Sequence, residues 1–281
     1  MISIEGGILK AKCVFVDIDN TLNVSSGKVT TYTKDVMKRL KEKGIIVVVN
    51  TGRSAKYAIE KSKEASLSNY IVSSNGAEVY DYVNDVIIFE QSIPAETVKN
   101  VYKYCQRMNL TLILNTLVAR FINKKEYKYN NEPVEYFSDI DEILSKYPIN
   151  QLVILSENYD RMLVIPHMFK EKFPNLKVVH SSMSLIEEKR IKNKEYYHDL
   201  VLENTAKSTG LVELLDYLKI NADDVIAVGD GYDDVCMFDV VGTSIAVGNA
   251  NDKLKEIATY IADTVQNDGV AKMLEKLLLE N

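Results

Sequence analysis

The stretch Val14-Phe15-Val16-Asp17-Ile18-Asp19-Asn20-Thr21 decides how the chain folds. It opens as a continuous apolar run, as a strand buried on both faces does, and ends in acids. Carboxylates just past the C-terminal end of such a strand lie where open α/β sheets bind their ligands. Asp17 and Asp19 have the period-2 spacing that puts both on one side if the strand continues. Two close carboxylates repel, so they need a cation or a proton between them. A strand end closed by an Asx turn at Asp19-Asn20 explains the same residues, and this stretch alone leaves the two readings level.

Outward from it, three other stretches repeat the pattern. Ile45–Val49 is β-branched and runs into Asn50-Thr51-Gly52-Arg53-Ser54. Thr51 offers a hydroxyl at the strand tip, Gly52 lets backbone approach a ligand, and a helix capped by Ser54 presents an anion-attracting N-terminus. By itself, an ordinary strand-to-helix turn is the better reading there. Lys207, in Asn204-Thr205-Ala206-Lys207-Ser208-Thr209-Gly210, falls in the first turn of a helix expected over Thr205–Leu218, where the helix dipole disfavours a cation. The mismatch points to another task for the ammonium, although a surface lysine is the plain alternative. A nucleotide P-loop is excluded, because the glycines before Lys207-Ser208 are missing. Last, the strand Val225–Val228 ends in Gly229-Asp230-Gly231-Tyr232-Asp233-Asp234. Three acids so close together suit a cation such as Mg²⁺, which takes one or two carboxylates plus other oxygens; a solvated acidic turn is the alternative.

Strand and helix signals alternate at both ends of the chain. The helix expected over Val29–Lys43 has Tyr32, Val36 and Leu40 on one face and stops at Gly44. From about Asn84 to about Glu203 the strands turn polar and tyrosine-rich, with helices from Pro94, over Asp139–Lys146, and over Arg161–Phe173 with a break at Pro166. The charged stretch Glu187–Glu195 reads as an exposed turn. The expected fold is therefore α/β: a Rossmann-like, doubly wound parallel-sheet core over 1–83 and 204–281, with an α+β cap inserted over 84–203.

Composition narrows the function. The 281 residues carry 40 acids against 34 bases, a formal charge of −6, which argues against a general nucleic-acid binder. Apolar residues at 46% and charged residues at 26% describe a globular chain. Cys13, Cys105 and Cys236 form no disulfide framework or C-x-x-C pair. His167, His180 and His198 have no zinc spacing. With no signal-peptide architecture over Met1–Lys10 and no apolar run long enough to span a bilayer, a soluble cytoplasmic protein without membrane contact is expected. The oligomeric state cannot be read.

Taken in order, acid pair, Thr-Gly, lysine and acid cluster closely resemble the four motifs of the haloacid dehalogenase (HAD) phosphohydrolases. Asp17-x-Asp19-x-Thr21 matches the first motif, Thr51 the second, Lys207 the third and Gly229-Asp230-x-x-x-Asp234 the fourth. Val72-Ser73-Ser74-Asn75-Gly76-Ala77, Ala246-Val247-Gly248-Asn249-Ala250 and the size of the insertion resemble the Cof-type, class IIB branch. The resemblance implies a Mg²⁺-dependent phosphatase of small phosphorylated metabolites, sugar phosphates first and phosphorylated cofactors second. It implies Asp17 as nucleophile, Asp19 as acid and then base, and Thr51, Gly52 and Lys207 on the phosphate. Asp17, Asp230, the Asp19 carbonyl and, near or through water, Asp234 would hold the metal. Arg53, Asn75, Asp233 and Asn249 are further candidates, and His180, Tyr127, Tyr129 and Tyr136 lie in the expected cap. Asp233 departs from the branch, which usually carries Asn there; an acid at that point must turn away, hold a proton or bind the metal more tightly. A phosphomutase using the same Asp17, and a silent metabolite-binding module, are the competing readings.

Overall fold

The computed structural model describes residues 10–24, 27–125, 133–179 and 196–280. The readings that fall on residues 1–9, Tyr127, Tyr129, His180 and Glu187–Glu195 lie outside them. The core strands are β1 (Cys13–Val16), β2 (Ile46–Asn50), β3 (Tyr70–Ser73), β4 (Glu78–Asp81) and β5 (Val86–Glu90). The inserted strands are β6 (Thr111–Asn115), β7 (Arg120–Ile122), β8 (Glu135–Tyr136), β9 (Gln151–Ser156), β10 (Leu176–Val179) and β11 (Tyr196–Leu202). β12 (Val225–Gly229), β13 (Thr243–Ala246) and β14 (Tyr260–Ile261) return to the core. The helices used below are α1 (Thr31–Glu42), α2 (Ala55–Glu64), α3 (Ala95–Arg107), α4 (Ile140–Lys146), α5 (Tyr159–Lys172) and α6 (Lys207–Leu218).

One sheet of eight strands runs β14-β13-β12-β1-β2-β3-β4-β5. It is parallel from β14 through β3, and β4 and β5 are antiparallel additions. β1 is flanked by β2 and by β12, so the chain winds away from it in both directions, and that switch point is where a crevice opens at the strand ends. Burial explains the apolar runs: all four residues of β1 and all five of β12 are buried, as strands with helices on both faces must be. α1 packs through Val36, Met37 and Leu40. Tyr32, expected on that face, is exposed instead, and its hydroxyl donates to Glu275.

The sheet also keeps β5, which the sequence boundary at 84 placed in the cap. β4 and β5 pair as a hairpin, so the chain leaves the core sheet only after Glu90.

The inserted strands form a second sheet, β10-β11-β9-β6-β7-β8, mainly antiparallel. Period-2 alternation splits its two faces. Leu112, Leu114, Leu152, Ile154 and Leu200 face α3, α4 and α5 in one apolar cluster. The other face carries Ile113, Val153 and Leu155 in a small cluster, and Asn115, Gln151 and Asp199 where it meets the core.

α5 is continuous, although Pro166 predicts a break. Pro166 has no N–H for the carbonyl of Met162 four residues earlier. His198, buried on β11, supplies the missing donor: its Nε2 lies 2.9 Å from Met162 O. A carbonyl oxygen can only accept, so Nε2 carries the proton.

Candidate active site

Each strand end places its polar residues by a simple local rule. After Val16 the chain does not continue as strand. It turns, with Leu22 N–H donating to the carbonyls of Asp17 and Ile18. Asn20 takes the left-handed conformation that Asn tolerates (φ 61°). Asp17 and Asp19 nevertheless line the same cavity, because the turn folds back over the strand tip. Thr21 follows in that turn and donates its hydroxyl to Asp230 Oδ1 at 2.8 Å, tying β1 to β12.

Lys207 opens α6, but its side chain leaves the helix dipole for carboxylates. Its Nζ donates to Asp17 Oδ1 (2.8 Å) and Asp234 Oδ1 (2.7 Å), with Asp233 Oδ2 also at 2.8 Å. Asn50 holds the backbone there, donating to the Lys207 carbonyl at 3.0 Å. Asp234 is fixed from behind, its Oδ2 accepting the N–H groups of Asp230 and Gly231. Gly229 is required here, since a Cβ on it would stand 2.4 Å from the Asp234 carboxylate.

Burial raises Asp17 well above the usual carboxylate range; Lys207 counteracts this, and the neighbouring aspartates push it further up. Asp230 is pushed up to about 7 by burial and by Asp234. For Lys207, burial alone would lower the ammonium, but Asp17, Asp233 and Asp234 together carry it well above its ordinary value. Burial is the largest single influence on each of the three, and the crowding of several carboxylates around one ammonium comes after it. One oxygen each from Asp17, Asp230 and Asp234 lie within 4.8 Å of one another, all three residues buried. A buried, oxygen-only donor set of this charge fits a hard divalent cation such as Mg²⁺.

Asp19 belongs to a second pair. Arg53 Nε and Nη2 grip its two carboxylate oxygens at 2.7 and 3.2 Å, the forked geometry that fixes orientation as well as charge. Thr51 Oγ accepts the Arg53 backbone N–H, which leaves the hydroxyl proton to donate elsewhere.

The chain matches the family of haloacid dehalogenase-like hydrolases over residues 14–274. It belongs to that family. Among curated relatives, a 5-amino-6-(5-phospho-D-ribitylamino)uracil phosphatase of Bacillus subtilis is 24% identical, aligned over 99% of this chain and 100% of its own. A Streptococcus pyogenes protein named as a bifunctional phosphatase/peptidyl-prolyl cis-trans isomerase is 29% identical over 95% of this chain, which spans only 54% of that relative. Among solved structures, a haloacid dehalogenase-like hydrolase of Bacteroides thetaiotaomicron superposes with TM-score 0.83 at 23% identity, covering 96% of this chain and 100% of its own. The HAD subclass IIB sugar phosphatase BT4131 superposes with TM-score 0.75 at 19% identity, covering 95% and 98%.

In this hydrolase Asp17, Asp19, Thr51, Gly52, Arg53 and Lys207 share one cavity with Asn75, Asp230 and Asp233. Asp234 stands behind it. Asn249 is not among the lining residues: it donates to the Asn20 carbonyl and accepts from Val265 N–H, bracing two loops. Tyr136 is exposed on β8 and also lies away from the cavity. Asp233 does not turn away from the site: its carboxylate pairs with Lys207.

The inserted sheet supplies residues that no local motif marks. Arg120, Asn115 and Gln151 stand side by side across β7, β6 and β9. Arg120 Nε donates to Asn115 Oδ1, Asn115 Nδ2 to Gln151 Oε1, and Gln151 Nε2 to the Gly52 carbonyl at 3.0 Å. Asp199, on β11, accepts from Asn75 Nδ2 at 3.0 Å, and burial pushes it up to about 6. No helix of the described residues is long and apolar enough to cross a membrane.

Proposed function

We propose that this phosphatase hydrolyses monoesters of small phosphorylated metabolites, sugar phosphates foremost, with Mg²⁺ and through an aspartyl-phosphate on Asp17. The carrying observation is the pairing of Asp17 with Lys207 beside Asp230, next to Asp19 gripped by Arg53, at the switch point of the sheet. The sugar-phosphate preference is supported by the hydrogen-bonding row Arg120-Asn115-Gln151 facing the cavity, and by similarity to a sugar phosphatase.

Thr51 Oγ–H, the Gly52 backbone and Lys207 bind the phosphoryl oxygens. Lys207 keeps Asp17 ionised, and a free Asp17 oxygen attacks phosphorus while the ester P–O bond breaks. To act as the acid, Asp19 frees one oxygen from the Arg53 fork and carries a proton on it, which it gives to the departing alkoxide. The same carboxylate then takes a proton from water as that water attacks the acyl-phosphate phosphorus, releasing inorganic phosphate and restoring Asp17. Asp17, Asp230 and the Asp19 carbonyl would hold Mg²⁺, with Asp234 near or through water. When bound it offsets the charge of both nucleophile and phosphate. The inserted sheet covers the site and limits water.

The test is phosphate release from a panel of phosphorylated metabolites, with and without Mg²⁺. Release from a preferred ester should depend on Mg²⁺ and need no bisphosphate activator, and Asp17→Asn should lower it at least a thousandfold. Equal rates in wild type and variant would overturn the mechanism.

A further inference from the structure

Lys207 is more heavily claimed than a phosphate-binding lysine can remain. An ammonium has three N–H groups. Two go to Asp17 and Asp234 as hydrogen bonds, and Asp233 stands at contact distance, 2.8 Å, as a third carboxylate. A phosphoryl oxygen arriving at Lys207 must take the place of one of them.

The three are not equally held. Asp234 is buried and also anchors two backbone N–H groups, so moving it would break the Gly229–Asp234 turn. Asp17 is buried and must stay, because it is the group that reacts. The Asp233 side chain is the most exposed of the three, at 17%, and its ion pair with Lys207 is not aligned as a hydrogen bond. It also has somewhere to go. Asp233 lies on the wall shared by the active-site cavity and an adjoining cavity of about 240 Å³. Lys177 stands on the wall of that second cavity and spends one N–H on the Thr205 carbonyl.

We propose that Asp233 is a displaceable occupant of Lys207: the phosphoryl group replaces it, and the carboxylate swings toward Lys177 in the adjoining cavity. This rests on the phosphatase reading of the site and adds a specificity device to it. Substrate and product phosphate both have to displace Asp233, so it weakens both, and a neutral or singly charged competitor gains less from Lys207 than a dianion. No bond is made or broken, and only the partner of an existing cation changes.

The experiment measures KM and kcat for a preferred phosphate ester, and the inhibition constant of inorganic phosphate, all in Mg²⁺. In Asp233→Asn both KM and the phosphate inhibition constant should fall at least threefold, with kcat moving less. Asp233→Ser, which also removes the charge, should move both constants the same way and guards against an artefact of one side chain. Lys177→Gln should raise both constants, and this effect should vanish in the Asp233→Asn background, since the two residues then no longer communicate. Unchanged or raised constants in both Asp233 variants would overturn the proposal, as would a Lys177 effect that persists without Asp233. Failure of the underlying reading looks different: the wild type itself would release no phosphate.

Discussion

Lys207 shows how far one residue can be displaced from the role its position suggests. At the start of α6 it opposes the helix dipole, which costs a few tenths of a kcal/mol to about 1 kcal/mol. The carboxylates around it outweigh that: stripping the partner from buried charges typically costs about 3–5 kcal/mol. Lys207→Met should therefore destabilise the metal-free protein, and by an amount that depends on pH. Asp17 and Asp234 already have raised values, and loss of the ammonium raises them further. A carboxylate whose folded value lies above its unfolded one lends stability at low pH that is lost as pH rises through the folded value. The variant's deficit should thus be smallest near pH 4 and grow toward pH 8, and Mg²⁺ should recover part of it at pH 8. Thermal unfolding of both proteins at the two pH values, with and without Mg²⁺, checks this; a deficit independent of pH would refute it.

At the scale of elements, α5 depends on a residue from a neighbouring strand. Pro166 removes one helical hydrogen bond, and a proline in a helix interior costs about 3 kcal/mol relative to alanine. His198 returns a donor to the buried carbonyl of Met162, which Pro166 leaves without its helical partner, and a buried carbonyl without a donor costs about 1–3 kcal/mol. His198→Phe should destabilise the protein by about that amount. In a Pro166→Ala background the same change should cost measurably less, because the backbone N–H restored by that substitution can then serve Met162 itself. Chemical denaturation of the four proteins gives the coupling, and simple additivity would show that His198 acts by packing alone. The break expected at Pro166 is a sound inference from the chain taken locally. The donor that prevents it lies 32 positions away on β11, beyond the reach of helical periodicity.

The whole molecule divides the same way between what is local and what is not. Asp17, Thr51 and Asp230 could be picked out as candidates because each follows the end of an apolar strand run, and Lys207 because a cation is misplaced in the first turn of a helix; only their order along the chain joined them into one site. Asp233's partner was not legible, since Lys207 reaches it across the fold. Arg120, Asn115 and Gln151 were silent for a further reason: a polar residue in a strand reads as a polar face, and only the register of β7, β6 and β9 makes a row of them; Asp199, on β11, is silent in the same way. That row joins the two sheets through Gln151 and the Gly52 carbonyl, while Asn75 and Asp199 make a second bridge. Both bridges need the inserted sheet against the core, so any opening of the two sheets would break them. A hydrogen bond of this kind contributes about 0.5–1.5 kcal/mol, which shifts a closed–open balance by about twofold to about twelvefold. If closure is needed for productive binding, the apparent affinity falls by the same factor. Gln151→Ala should therefore raise KM within that range for a sugar phosphate while leaving kcat nearly unchanged, because Gln151 touches the Gly52 carbonyl and not the groups proposed to react. A small aryl phosphate, which gains little from the Arg120-Asn115-Gln151 row, should show a smaller rise. Steady-state kinetics on the two substrates decide the matter: a fall in kcat with KM unchanged would mean that Gln151 acts through Gly52 on the chemical step itself.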